Sequence, residues 1–160
     1  MNTISKIITW KRNLIASILV LLTLMVLDFY GIHTNQFYFL KVDNYIFSTL
    51  AVVHLLYLYV VWFKIREDEL PDPKMRNVEY VLYLILFVYG FKIYESLQIL
   101  NSAQIYQDQI IPSTFKPMAT LNLILFSILP IMTLYTFWLR KKMIGVYNFD
   151  NYNSKLNIWQ

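Results

Sequence analysis

Four ionisable side chains interrupt long apolar runs in this sequence: Asp28, His54, Lys92 and Glu95. Inside a hydrocarbon layer each is costly, and such residues face the interior of a bundle or a water-filled space. Lys92 and Glu95 are three residues apart, so on a helix they share a face. Counting helical rise from the centre of each apolar run puts Asp28 at ~8 Å, Lys92 at ~5 Å and Glu95 at ~10 Å toward one side of the layer. Asp28 is therefore at a depth where it can pair with Lys92 from a neighbouring helix. One ammonium and two carboxylates give the cluster a net charge of −1. Three roles fit it: an internal salt bridge that fixes helix register, a proton or cation site open to the outside, and a contact with another subunit.

Weaker polar groups fall in the same half of the layer. Asn122 comes out at ~9 Å, and Ser48 and Thr49 at ~8–10 Å, so all four runs offer polar atoms there. His54 lies near the midplane, where it is either a hydrogen-bonded packing residue or a proton relay. The only other histidine, His33, stands at the outer boundary, too far off to share a haem or metal with it. Glu79 sits at the inner edge, within reach of water. Apart from it the inner halves read as almost purely aliphatic and aromatic, which predicts no polar route through them. Pro130 predicts a kink and a freed carbonyl at Phe126.

Much chemistry is excluded. The chain has no cysteine, which removes disulfides, thiolate metal sites and iron–sulfur clusters. With three glycines it has no Gly-rich phosphate loop. No Ser/His/Asp or His–Glu metal arrangement occurs, so no catalytic residue, cofactor or metal is assigned. The net charge of +4 follows a membrane pattern rather than a nucleic-acid patch.

The elements that must hold these groups are four apolar runs of about the ~20 residues needed to cross a bilayer: 13–32, 45–64, 78–100 and 118–139. Across 160 residues, 58% are hydrophobic and 15% charged, against ~25% charged in a soluble domain. The first run is too long for a signal peptide and no small-residue cleavage site follows it, which predicts a retained anchor. Eleven Lys and Arg fall on one side of this arrangement and two on the other. The bias places both termini in the cytoplasm, with Lys11, Met75 and Lys141 inside and Gln36 and Gln109 outside. Trp10, Trp62 and Trp138 are expected as interfacial anchors at the inner ends.

The expected fold is all-α, an integral membrane bundle of four transmembrane helices. Residues 1–12 form an interfacial arm, 13–139 the transmembrane domain and 140–160 a cytoplasmic tail. The loop containing Pro71 and Pro73 reads as a solvated turn. The expected compartment is the bacterial inner (plasma) membrane, with an organellar inner membrane as the alternative. Two functions compete. One is a non-enzymatic subunit of a homo-oligomer or larger membrane complex, because small size and scattered polar groups call for partners. The other is a small channel or proton- or cation-coupled transporter using Asp28, Lys92 and Glu95. The expected partners are the lipid bilayer and other membrane subunits, not nucleic acid.

Overall fold

The computed structural model of the chain describes residues 3–102 and 112–147, with side chains from Trp10 onward. Its elements run α1 (Thr3–Asp28), β1 (Tyr30–Gly31), β2 (Gln36–Phe37), α2 (Asp43–Arg66), α3 (Pro73–Ser102) and α4 (Phe115–Met143). All four helices are long and apolar enough to cross a membrane. The side chains of residues 1–9, the central part of the loop before Pro112 that holds Gln109, and the tail from Asn148 lie outside the described residues.

Each helix packs on the next in sequence, and α1 closes the ring against α4. The up-and-down arrangement follows from chain length and from paired side chains. Six residues between α2 and α3 reach about 20 Å when extended, too short to run back along a helix of about 36 Å. Asn13 near the start of α1 donates to Thr136 near the end of α4, 2.9 Å. Late α1 meets late α3 through Asp28 and Lys92, 3.0 Å. The bundle thus has a hairpin end, where β1 and β2 sit, and a turn end, where α2 passes into α3.

Helix termini correct the sequence reading in instructive ways. α1 stops at Asp28, because the chain there turns into an antiparallel hairpin pairing Tyr30 with Phe37 and Gly31 with Gln36. A Cβ at Gly31 would run into the Tyr38 ring, so the close approach of hairpin to loop requires glycine. Asn35 takes the left-handed backbone at the tip, φ 55°. Its side-chain oxygen accepts from Tyr30 and from Thr114, both at 2.7 Å, which ties the hairpin to the start of α4. Ile32 packs there on Phe115 and Ala119.

At the turn end, Pro73 opens α3 where its fixed φ suits a first helical position. Asp72 caps it by accepting from the Met75 N–H at 2.7 Å. Lys64 holds the other Asp72 oxygen at 2.9 Å and Glu69 at 2.7 Å, closing the turn. Partial burial works against the Asp72 carboxylate, but the Met75 N–H and the Lys64 ammonium outweigh it and hold its pKa below the ordinary value. Met75 is buried at 1% exposure and packs in the core. Trp10 is buried too, at 3%, whereas Trp138 is 51% exposed. Of the two, only Trp138 is free to act as the expected interfacial ring. α4 continues unbroken through Pro130 to Met143, which moves Arg140 from the expected tail into the helix.

Candidate functional site

The buried polar groups lie along one face of α3. Glu79, Tyr89, Lys92 and Ser96 recur at spacings of ten, three and four residues, close to multiples of the helical repeat. Three neighbouring helices supply the partners, and the result is three polar layers along the bundle.

The layer at the hairpin end holds the anticipated cluster. Lys92 Nζ lies 3.0 Å from Asp28 Oδ1 and 3.2 Å from Glu95 Oε2. Asp28 is 8% exposed at its side chain, Lys92 21% and Glu95 56%, so the pair sinks inward while Glu95 stays at the mouth. Ser96 donates to the Lys92 carbonyl at 2.8 Å and accepts from Asn122 Nδ2 at 3.4 Å. Two acceptors have no donor among the described residues: Asp28 Oδ2 and Asn122 Oδ1. All five of these residues line a cavity of about 400 Å³, which Lys41 also borders and the β1–β2 hairpin walls on one side. Ser48 and Thr49 do not join it. Their hydroxyls turn back to the Asn44 and Tyr45 carbonyls of their own helix, at 3.4 Å and 2.8 Å, the usual refuge of a helical hydroxyl without a neighbour.

In the middle layer His54, fully buried, meets the Tyr89 hydroxyl through Nδ1 at 2.9 Å. Its Nε2 has no hydrogen-bond partner among the described residues. Phe47 lies tilted against Tyr89 and edge-on to Phe126, which lines the cavity.

The layer at the turn end is the one that the sequence reading missed. Glu79 is 2% exposed and does not reach water. Arg140 grips it from α4 with Nη2 at 2.6 Å and Nε at 2.9 Å, the bidentate geometry that suits guanidinium and carboxylate. Tyr57 and Tyr147 each donate to Glu79 Oε2 at 2.7 Å. Arg140 Nη1 donates to the Gly145 carbonyl at 2.9 Å, and its guanidinium lies 4.1 Å from the centre of the Tyr147 ring. The chain after α4 is thereby folded across the end of the bundle. Burial and the neighbouring Glu79 carboxylate push the Tyr147 phenol upward, so it stays a neutral donor.

These findings correct the placing of Glu79 within reach of water and of Arg140 in the tail: the two form a buried pair inside the bundle. The missing signal was available in part. Glu79 lies in register with Tyr89 and Lys92 on α3, and Arg140 falls one helical repeat beyond Thr136 and Phe137. Tyr57 and Tyr89 act here through their hydroxyls, which apolarity alone does not register. Among the described residues no three His, Cys, Asp or Glu side chains gather as they would to hold a metal ion. Compared with protein-family models, curated proteins and solved structures, the chain matches none.

Proposed function

We propose that this chain is a non-enzymatic multi-pass membrane protein, with its hairpin end outside and both termini in the cytoplasm, that binds a small polar solute in the hairpin-end cavity. It works as a small channel or transporter subunit would, with Asp28, Lys92 and Glu95 as the working charges. One observation carries the reading. The four helices satisfy Glu79 and Arg140 entirely within one chain, yet at the other end they leave charged groups around a cavity of about 400 Å³. A purely structural salt bridge calls for no such space, and the Glu79–Arg140 pair is packed closed without one. The basic residues flanking the turn end support the orientation.

The chain has no cysteine of its own, so single cysteines report access cleanly. Asn122→Cys, in the cavity wall, should react with an impermeant thiol reagent applied from the outer side. Leu129→Cys, fully buried, should not. In proteoliposomes under a pH or cation gradient, flux should vanish in the triple variant Asp28→Asn, Lys92→Met, Glu95→Gln while the fold survives. A position 122 that no reagent reaches, with flux equal in wild type and triple variant, would sink the proposal.

A second reading, a scaffold or accessory subunit of a homo-oligomeric or larger membrane complex, draws on the outward aromatic pairs. Tyr59 contacts Trp62 and Phe63, and Tyr135 stacks on Trp138. Native mass spectrometry showing only a stable single chain of 19.2 kDa would count against it.

A further inference from the structure

We propose that the cavity takes a small zwitterion carrying a primary ammonium group. This deepens the reading of the cavity as the working site and rests on it. Asp28 Oδ1 is occupied by Lys92 and Asn122 Nδ2 by Ser96, but Asp28 Oδ2 and Asn122 Oδ1 have no donor among the described residues. Both residues belong to the cavity wall. Asp28 is 92% buried at its side chain, the complement of its 8% exposure. A buried acceptor without a donor is an unfavourable state that a partner relieves. Both orphans are acceptors, so the missing partner is a donor. Both orphaned oxygens are covered by protein as the side chains stand, so the ligand's ammonium meets them through a partial turn of the carboxylate and amide about χ2, torsions with broad wells.

Charge selects the rest of the ligand. The cavity is bordered by two carboxylates, Asp28 and Glu95, and two ammonium groups, Lys92 and Lys41. A ligand of one sign meets like charge on this wall, whereas one bearing both signs, as an amino acid, a phosphodiester headgroup or phosphoethanolamine does, finds a counter-charge for each. Its ammonium goes to Asp28 and Asn122, and its carboxylate or phosphate goes to Lys41, which is solvent-exposed at the rim. A quaternary ammonium has no N–H to give and leaves both acceptors orphaned. Sites built around a hydrogen bond discriminate strongly against an analogue that lacks it. Free amino acids, phosphoethanolamine and the headgroup of phosphatidylethanolamine share the required chemistry.

The test uses the full chain in detergent, titrated with phosphoethanolamine, phosphocholine, β-alanine and ethanolamine, with binding read by thermal shift and native mass spectrometry. The same protein in phosphatidylcholine nanodiscs, with and without phosphatidylethanolamine, reads the lipid source. Phosphoethanolamine should bind at least about tenfold more tightly than phosphocholine, one hydrogen bond's worth of discrimination. Asn122→Leu should lose about tenfold for every primary amine while leaving the Lys92–Asp28 pair intact. Lys41→Gln should weaken phosphoethanolamine and β-alanine but not ethanolamine. Binding in detergent supports a soluble zwitterion, and binding only in the phosphatidylethanolamine nanodiscs supports a lipid headgroup. Equal affinity for phosphocholine and phosphoethanolamine overturns the ligand class. So does a cavity in which Ile99→Cys, at a wall position outside the proposed contacts, accepts the thiol reagent but is not protected by any zwitterion or by phosphatidylethanolamine. A position 122 closed to the reagent overturns the site itself.

Discussion

Two ion pairs anchor α3, and they are built to opposite ends. At the turn end, Glu79 accepts from three side chains on α2, α4 and the segment after α4, and its partner Arg140 spends its remaining valence on Gly145. Pair and neighbours are sealed, with side-chain exposures of 3% and 7%. At the hairpin end, Lys92 reaches two carboxylates, one of them open to solvent, and two nearby acceptors have no donor among the described residues, beside a cavity. The chemical ingredients are alike. What differs is hydrogen-bonding capacity left over, and that separates a fastening from a binding site: a saturated network has nothing to offer a ligand.

Breaking the sealed end should cost most. Arg140→Met leaves the Glu79 carboxylate buried without its countercharge, and loss of one partner from a buried pair costs about 3–5 kcal/mol. Thermal unfolding in detergent should show a large drop, and Arg140→Met with Glu79→Leu should recover much of it. A drop no larger than that of a surface variant would mean the two ends are not different in kind. Lys92→Met should cost less, about 1–3 kcal/mol, because Lys92 is partly exposed and the orphaned carboxylates can be hydrated or take up a proton. Adding Asp28→Asn and Glu95→Gln should restore stability without restoring flux. If Lys92→Met proves the more damaging of the two, the contrast reverses.

Smaller effects sharpen the same contrast. Tyr147→Phe removes one of the donors to Glu79 and should cost about 1–2 kcal/mol, together with faster proteolysis of the segment after α4. The smallest effect is expected at the turn. The Asp72 pKa lies below its unfolded value of about 3.9. Its contribution is therefore fully present above about pH 4 and is lost as pH falls through the lower folded value. Asp72→Asn should flatten that acid limb of the stability profile and slightly lower the plateau near neutrality, where the contribution it removes is fully present.

Length, apolarity and turn residues were enough to predict four helices and their neighbours, because a run of about 20 apolar residues has few alternatives. Depth counting also brought Lys92 to Asp28, whose side chains do meet. It failed where the answer depended on direction rather than depth. Ser48 and Thr49 have the right height but bond their own helix, and no depth estimate reports which way a hydroxyl turns. Glu79 failed for a different reason: its burial comes from α4 and the chain beyond continuing past the expected boundary, so a misplaced helix end hid a buried pair. The hairpin was unreadable as such, since two-residue strands carry no periodicity.

The long separation between Glu79 and Arg140, 61 residues, has a consequence for how the chain is made. Synthesis runs from the N-terminus, so Lys92 emerges with Asp28 already in place, whereas Glu79 emerges long before Arg140 exists. During that interval Tyr57 is the only one of its described side-chain donors yet synthesised. A chain truncated before residue 140 therefore holds an acidic group with no countercharge in α3. The last turn of α4 is, in that sense, the step that completes assembly, and nascent chains stalled short of it should be the ones recognised and degraded.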